Sequence, residues 1–186
     1  MVMKKHFLFA IPILIFPFLV LPTLVVIFFS TKVDFFGTIV ELLFRDNALI
    51  IITGLLIYMV ALSVSAVYFV VAMFKNWDAL SLAKVAMIVK LIQVPTFVAN
   101  LVAGVILAIG IFTFPFAVMV FVVDCISVFL TGLMTTAAVV STVRQGHFRF
   151  GEVAWVVVLQ MVFCADVVAS VIFYLKLRNR MKTDIL

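Results

Sequence analysis

The sequence predicts an all-α protein, a polytopic transmembrane bundle of five membrane-spanning helices that forms one membrane domain over residues 1–186. Three observations support this fold class. Hydrophobic residues make up 68% of the chain and charged residues only 11%, whereas a soluble domain is about half apolar and a quarter charged. Apolar runs long enough to cross the roughly 30 Å of hydrocarbon recur along the chain. The runs lack the alternation of transmembrane strands, so internally bonded helices are expected.

The first predicted span is residues 7–30, preceded by Lys4 and Lys5. Its apolar run is too long for the core of a signal peptide, and no small-residue cleavage site follows it, so we expect a retained span. Proline recurs every five residues within this span, and each proline removes an amide donor. A bent helix is therefore predicted, with a hinge or gate as the alternative. These prolines are Pro12, Pro17 and Pro22.

A short amphipathic helix is predicted between the first two spans, over residues 33–46. Polar side chains recur there at helical spacing on an otherwise apolar segment. Such a helix is expected to lie flat in the membrane interface. A lid packed over the bundle is the alternative. The polar residues are Asp34, Thr38, Glu41 and Arg45.

Four further spans are predicted at residues 48–74, 82–111, 115–143 and 153–175, and totals of four or six spans are alternatives. With five spans, the lysines and arginines outside the membrane divide six against six, which does not fix the orientation by the positive-inside rule. If the third segment re-enters, leaving four crossings, the division becomes eight against four. An amino end on the cytosolic side is the working interpretation.

The third span carries a lysine near the predicted middle of the bilayer. Lys90, Gln93 and Asn100 recur at steps that place them on one helix face. A charge at the bilayer centre costs at least about 2.5 kcal/mol, so Lys90 is expected to face the bundle interior and to meet an anion.

Two aspartates are candidates for that anion. Asp124 lies in the fourth span, at a depth similar to that of Lys90, and Asp166 lies in the fifth span with Gln160. We expect Lys90 to pair with Asp124 or Asp166, with Asp124 slightly favoured by depth. The six candidate binding residues are Lys90, Gln93, Asn100, Asp124, Gln160 and Asp166.

This polar cluster favours a site that binds or transports a solute or ion. An accessory protein whose buried ion pair fixes helix register is the first alternative, and an effector that perturbs membranes is the second. No catalytic motif, metal-ligand spacing or cofactor-binding motif is found in the sequence, so no catalytic residue, metal or cofactor is predicted. The expected partners are the lipid bilayer, a small molecule or ion, and a second copy or larger membrane complex.

The remaining basic residues and the cysteines have simple interpretations. The net charge of +5 comes from lysines and arginines at segment ends and in the tail KLRNRMK, where anionic headgroups are the expected partners rather than nucleic acid. Cys125 and Cys164 lie in apolar segments and are predicted to be buried free thiols, with a disulfide as the alternative.

The segments LAKVAMIVKLIQVPTFV and FCADVVASVIFYLKLR resemble signature stretches of a family of small bacterial membrane proteins with a domain of unknown function. The resemblance covers most of the chain and gives weight to Lys90, Gln93, Pro95 and Asp166. It implies a multi-pass protein of the bacterial cytoplasmic membrane with no established activity.

Overall fold

The computed structural model of this chain describes residues 2–30, 38, 41, 48–75, 77–110, 113–160 and 165–183. All regular structure in these ranges is helical, which confirms the predicted all-α class. The six described helices are α1 (Val2–Ser30), α2 (Ala48–Phe74), α3 (Ala79–Ala108), α4 (Phe114–Arg144), α5 (Phe150–Leu159) and α6 (Ala165–Thr183).

Three segments in the described part of the chain are long and apolar enough to cross a membrane: Leu56–Phe74, Ala79–Ala108 and Phe114–Arg144. Their outward faces are apolar, with Val98, Ile106 and Phe121 each more than half exposed. A water-soluble protein rarely exposes so much contiguous apolar surface. The structure therefore supports a membrane protein, but the predicted count of five spans is not confirmed.

Helix α1 is continuous through Pro12, Pro17 and Pro22, so these prolines do not divide the first predicted span. The predicted interfacial helix at residues 33–46 lies outside the described residues, except for Thr38 and Glu41, which are helical and exposed.

Local sequence signals fix several helix ends. Asp78 caps α3, because its carboxylate accepts hydrogen bonds from the backbone amides of Leu80 and Ser81 at 3.3 and 3.2 Å. Pro115 lies in the first turn of α4, where its missing amide proton costs nothing. Gly146 follows α4 with a φ of 78°, a conformation that glycine adopts without strain.

Helices α3 and α4 form the centre of the bundle and pack against each other more extensively than any other described pair. Helix α1 runs parallel to α3 and antiparallel to α2. His6 lies beside Tyr68 and Trp77, whereas further along α1 the hydroxyl of Tyr58 donates to the carbonyl of Pro12 at 2.7 Å.

The predicted fifth span is described as two helices, α5 and α6, that run in opposite directions. Arg180, near the end of α6, lies 3.7 Å from Glu152 at the start of α5. The Arg180 guanidinium also lies 4.8 Å from the centre of the Phe148 ring, just before α5. Residues 150–159 and 165–183 therefore form a helical hairpin rather than one crossing helix.

This hairpin brings the carboxyl-terminal helix back to the end of the bundle where the chain begins. At that end, Arg144 donates to the carbonyl of Met73 at 3.0 Å, and the Gln145 amide donates to the carbonyl of Trp77. His6, near the start of α1, contacts Trp77. Helix α5 begins shortly after Arg144, and Arg180 of α6 lies beside the start of α5. The amino end and the end of α6 therefore lie at the same end of the bundle. Five crossings would instead place the two ends at opposite ends of the bundle, so the described helices do not support the predicted five spans.

Candidate intramembrane binding site

The interior of the bundle holds many buried polar side chains. All six predicted site residues are buried, with exposed fractions of 6% or less. The polar residues at helical spacing in α3 and α4 thus face inward, and many large aliphatic residues face outward. The buried set is Lys90, Gln93, Asn100, Asp124, Gln160 and Asp166, with Ser127, Thr131, Thr135 and Ser170 beside them.

Lys90 is paired with Asp166. Its ammonium nitrogen lies 2.9 Å from Oδ2 of Asp166, and the two side chains are 1% and 3% exposed. The Oε1 atom of Gln160 is a second acceptor for the same ammonium. The prediction that Lys90 faces the interior and meets a buried aspartate is confirmed. The preference for Asp124 is wrong.

The two acceptors, Gln160 and Asp166, lie at the end of the hairpin where α5 stops and α6 begins. Gln160 follows the last residue of α5, and Asp166 is in the first turn of α6. The carbonyl end of a helix attracts cations and the amide end attracts anions. Lys90 and Asp166 therefore carry the charges that these two helix ends favour.

Hydroxyl groups extend this network toward α4. The Ser170 hydroxyl donates to the backbone carbonyl of Asp166 at 2.8 Å and lies 3.3 Å from the hydroxyl of Thr135. The Gln160 amide donates to the carbonyl of Val156 at 3.1 Å. Of these contacts, the one between Ser170 and Thr135 joins the hairpin to α4, one helical turn from Asp166.

Asp124 belongs to a second, separate polar contact. Its Oδ1 accepts a hydrogen bond of 2.6 Å from the amide nitrogen of Asn100. Among the described residues, no lysine, arginine or histidine forms an ion pair with Asp124. The Oδ1 of Asn100 is buried and has no hydrogen-bond partner in the described part of the chain.

The two contacts lie at different depths. Lys90 and Asn100 are ten residues apart on α3, which corresponds to about 15 Å along the helix axis. Asp124 reaches the depth of Asn100 and not that of Lys90. The predicted cluster is therefore two sites along one helix.

Gln93 has a structural role that explains its burial. Its amide nitrogen donates to the backbone carbonyl of Ile13 at 2.8 Å. In an α-helix that carbonyl would accept from the amide of residue 17, but Pro17 has no amide proton. Gln93 thus satisfies an acceptor that a proline leaves open inside the bundle.

We expect Gln93→Leu to lower the free energy of unfolding by about 1–3 kcal/mol, because the Ile13 carbonyl would be left buried without a donor. In a Pro17→Ala background the amide of residue 17 can serve that carbonyl, so the same substitution should cost clearly less. Thermal unfolding of the four proteins in detergent measures both costs. Equal costs in the two backgrounds would contradict this role.

Two cavities at the outer surface of the bundle each have a buried aspartate in their wall. One, of about 320 Å³, lies between α3 and α4 and includes Asn100 and Asp124 in its wall. Another, of about 260 Å³, includes Asp166 in its wall together with Phe97 and Val128. Both are otherwise lined mainly by apolar side chains, so each presents one acidic group to a mostly apolar space.

Comparison with protein-family models, curated proteins and solved structures finds no match for this chain.

Sequence reasoning identified the buried polar residues but not every neighbour. The structure adds the contact between Ser170 of α6 and Thr135 of α4. A signal for this contact was the run of hydroxyl residues at helical spacing on α4. Cys125 is a free thiol as predicted, but the prediction that it is buried is wrong, because its side chain is exposed on the outward face of α4. Cys164 lies outside the described residues.

Proposed function

We propose that this protein binds and translocates a small solute or ion across a membrane through its buried polar side chains. The observation that carries the proposal is the pair of cavities at the bundle surface whose walls include the buried residues Asp124 and Asp166. Ionisable residues at membrane depth usually mark solute or ion pathways, because their cost is tolerated only where a function or a partner requires them.

The hairpin adds support for this proposal. Many transporters form their substrate sites from discontinuous helices whose ends meet near the bilayer midplane. Here the end of α5 and the start of α6 meet at Lys90. Lys90 is eleven residues into α3, or about 16 Å from its first residue.

The proposed topology has both chain ends in the cytosol of a bacterium, with α1 to α4 crossing the cytoplasmic membrane and α5–α6 entering from the cytosolic side. Ten basic residues near the end that holds Arg144 and Arg180 support this orientation under the positive-inside rule. These residues are Lys4, Lys5, Lys75, Lys84, Arg144, Arg149, Lys176, Arg178, Arg180 and Lys182.

One observation favours a different role. The Lys90–Asp166 pair is almost completely buried and satisfied by its neighbours, as expected for a pair that fixes helix packing in an accessory membrane protein. Under this second proposal, the pair holds the hairpin in place and no solute passes it.

A two-step experiment distinguishes the two roles. Ions and small solutes are first screened for thermal stabilisation of the purified protein, since a ligand that binds only the folded state must stabilise it. Uptake of the best stabiliser into proteoliposomes is then compared with uptake into protein-free liposomes. Protein-dependent uptake that is lost when Asp124 or the Lys90–Asp166 pair is neutralised supports transport.

The matched control is Ser63→Ala, because Ser63 is exposed on α2 and its hydroxyl donates to the carbonyl of Met59 in its own helix. This variant should retain full uptake. If no compound stabilises the protein, or if uptake persists after neutralisation of both sites, the accessory role is the better explanation.

A further inference from the structure

The cavity between α3 and α4 combines a carboxylate with a second, unused acceptor. Asp124 and Asn100 both lie in its wall, and within the described residues the Asp124 carboxylate accepts one hydrogen bond, from the Asn100 amide. The Oδ1 of Asn100 is buried without a partner in the described part of the chain, and Asn100 is only 2% exposed. A buried acceptor without a donor is costly, so this pair is suited to a ligand that donates hydrogen bonds and carries positive charge.

The rest of the wall indicates what kind of cation fits. Apart from Asn100 and Asp124, it consists mainly of aliphatic and aromatic side chains, including Phe114 and Phe121. Hard metal cations require several oxygen ligands, whereas an alkylammonium group needs only a few acceptors for its N–H donors and carries apolar substituents. Aromatic rings also attract organic cations.

The cavity opens on the outward face of the bundle. Leu101, Val105, Val118 and Phe121 line it, and each of these side chains is 46–68% exposed. In a membrane this face meets acyl chains, which dissolve the apolar part of an amine. The volume of about 320 Å³ lies at the lower end of the usual range for small-molecule pockets.

We propose that Asp124 and Asn100 form a binding site for a small lipophilic ammonium ion that enters from the bilayer between α3 and α4. The proposal rests on the proposed function and specifies the class of solute. The ammonium donates to the carboxylate of Asp124 and to Oδ1 of Asn100, and its apolar substituent occupies the space toward Phe121. Binding involves no covalent step.

The test uses the full-length protein in detergent at pH 7 with benzylammonium chloride as the probe. Benzyl alcohol serves as the uncharged analogue, and sodium chloride replaces potassium chloride to test a bare ion. Benzylammonium is expected to raise the melting temperature by several degrees in a saturable manner, whereas benzyl alcohol and sodium are expected to leave it nearly unchanged.

Three variants locate the site. Asp124→Asn should weaken benzylammonium binding by roughly tenfold or more, because a hydrogen bond to a charged group is lost. Phe121→Ala changes an exposed wall residue, so it should fold normally and also weaken binding. Thr142→Val is the control and should bind benzylammonium as the wild type does, because Thr142 is buried on the same helix, outside the cavity wall, and donates to the carbonyl of Ala138.

The proposal is overturned if benzylammonium stabilises wild type and Asp124→Asn equally. It is also overturned if benzyl alcohol stabilises the wild type as much as benzylammonium does, or if sodium alone raises its melting temperature. If Asp124→Asn does not fold, the test depends on Phe121→Ala. Unchanged benzylammonium binding by that variant would then overturn the proposal. Failure of benzylammonium to stabilise the wild type, together with uptake of another solute that depends on Asp166 and not on Asp124, would refute this site while leaving the proposed function intact.

Discussion

Replacing Lys90 with methionine is expected to destabilise the protein by about 3–5 kcal/mol, because the Asp166 carboxylate would remain buried without its cation. Lys90 and Asp166 are 1% and 2% exposed, and their charged atoms lie 2.9 Å apart. Asp166→Leu should cost a similar amount, since it leaves the ammonium with Gln160 alone. Thermal unfolding in detergent should show a fall in melting temperature on the order of 10 °C for each variant.

The double variant Lys90→Met/Asp166→Leu should recover most of this loss, because an apolar pair of similar volume often replaces a buried ion pair at little cost. Lys90→Met combined with Asp124→Asn provides the control. Those two residues lie at different depths and share no contact, so their effects should add within about 0.5 kcal/mol. Coupling between Lys90 and Asp124, with additivity between Lys90 and Asp166, would contradict the observed pairing.

The second large effect concerns the side of the membrane on which the chain ends lie. Single cysteines at Met3 and Asn179, in a protein whose Cys125 and Cys164 are replaced by serine, are expected to react with an impermeant maleimide from the same side. The reason is that α5 and α6 form a hairpin, so α6 returns to the end where α1 begins. Labelling of right-side-out and inside-out vesicles measures the side for each site.

Ile109→Cys serves as the opposite-side control, since Ile109 is 82% exposed and follows α3 at the far end of the bundle. It should label only from the side that protects Met3→Cys and Asn179→Cys. Five full crossings would instead place Asn179 on the side of Ile109. That pattern would refute the hairpin and the proposed cytosolic location of both ends.

The fold class and the identity of the buried polar residues could be predicted from the sequence. Long apolar runs in lipid must be helical, and polar residues at helical spacing share one face. The cost of exposing charge to lipid then requires that face to point inward. Lys90, Gln93, Asn100 and Asp124 are all buried for this reason.

The partner of Lys90 could not be predicted from depth, because the helices are longer than the hydrocarbon layer. Helix α3 has 30 residues, which corresponds to about 45 Å, whereas the hydrocarbon is about 30 Å thick. Lys90 lies about 16 Å from one end of α3, and Asp124 lies about 15 Å from the start of α4 at the opposite end. If each helix spanned only the roughly 30 Å of hydrocarbon, these two positions would lie at the same depth. Because the helices are about 45 Å long, the two positions are well separated along the bundle.

The hairpin was missed because residues 153–175 form one apolar run of the right length for a crossing. Hydropathy averages over a window and cannot register a reversal of direction. The informative signals were Gln160 and Asp166, two polar residues near the middle of that run, and the basic residues that follow at 176–182. These residues indicate a hairpin only when Lys90 is known to be their common partner, and Lys90 is 70 residues away from Gln160 in the chain.

The hairpin also imposes an order on biosynthesis. Ribosomes make α3 first, so Lys90 enters the bilayer before residues 150–183 exist. Until the last two helices dock, the nascent bundle carries an uncompensated ammonium group, and a chain truncated before Phe150 would keep it permanently. Such a fragment presents the quality-control proteases of the membrane with a polar surface that the finished protein conceals, so its lifetime in cells should be short.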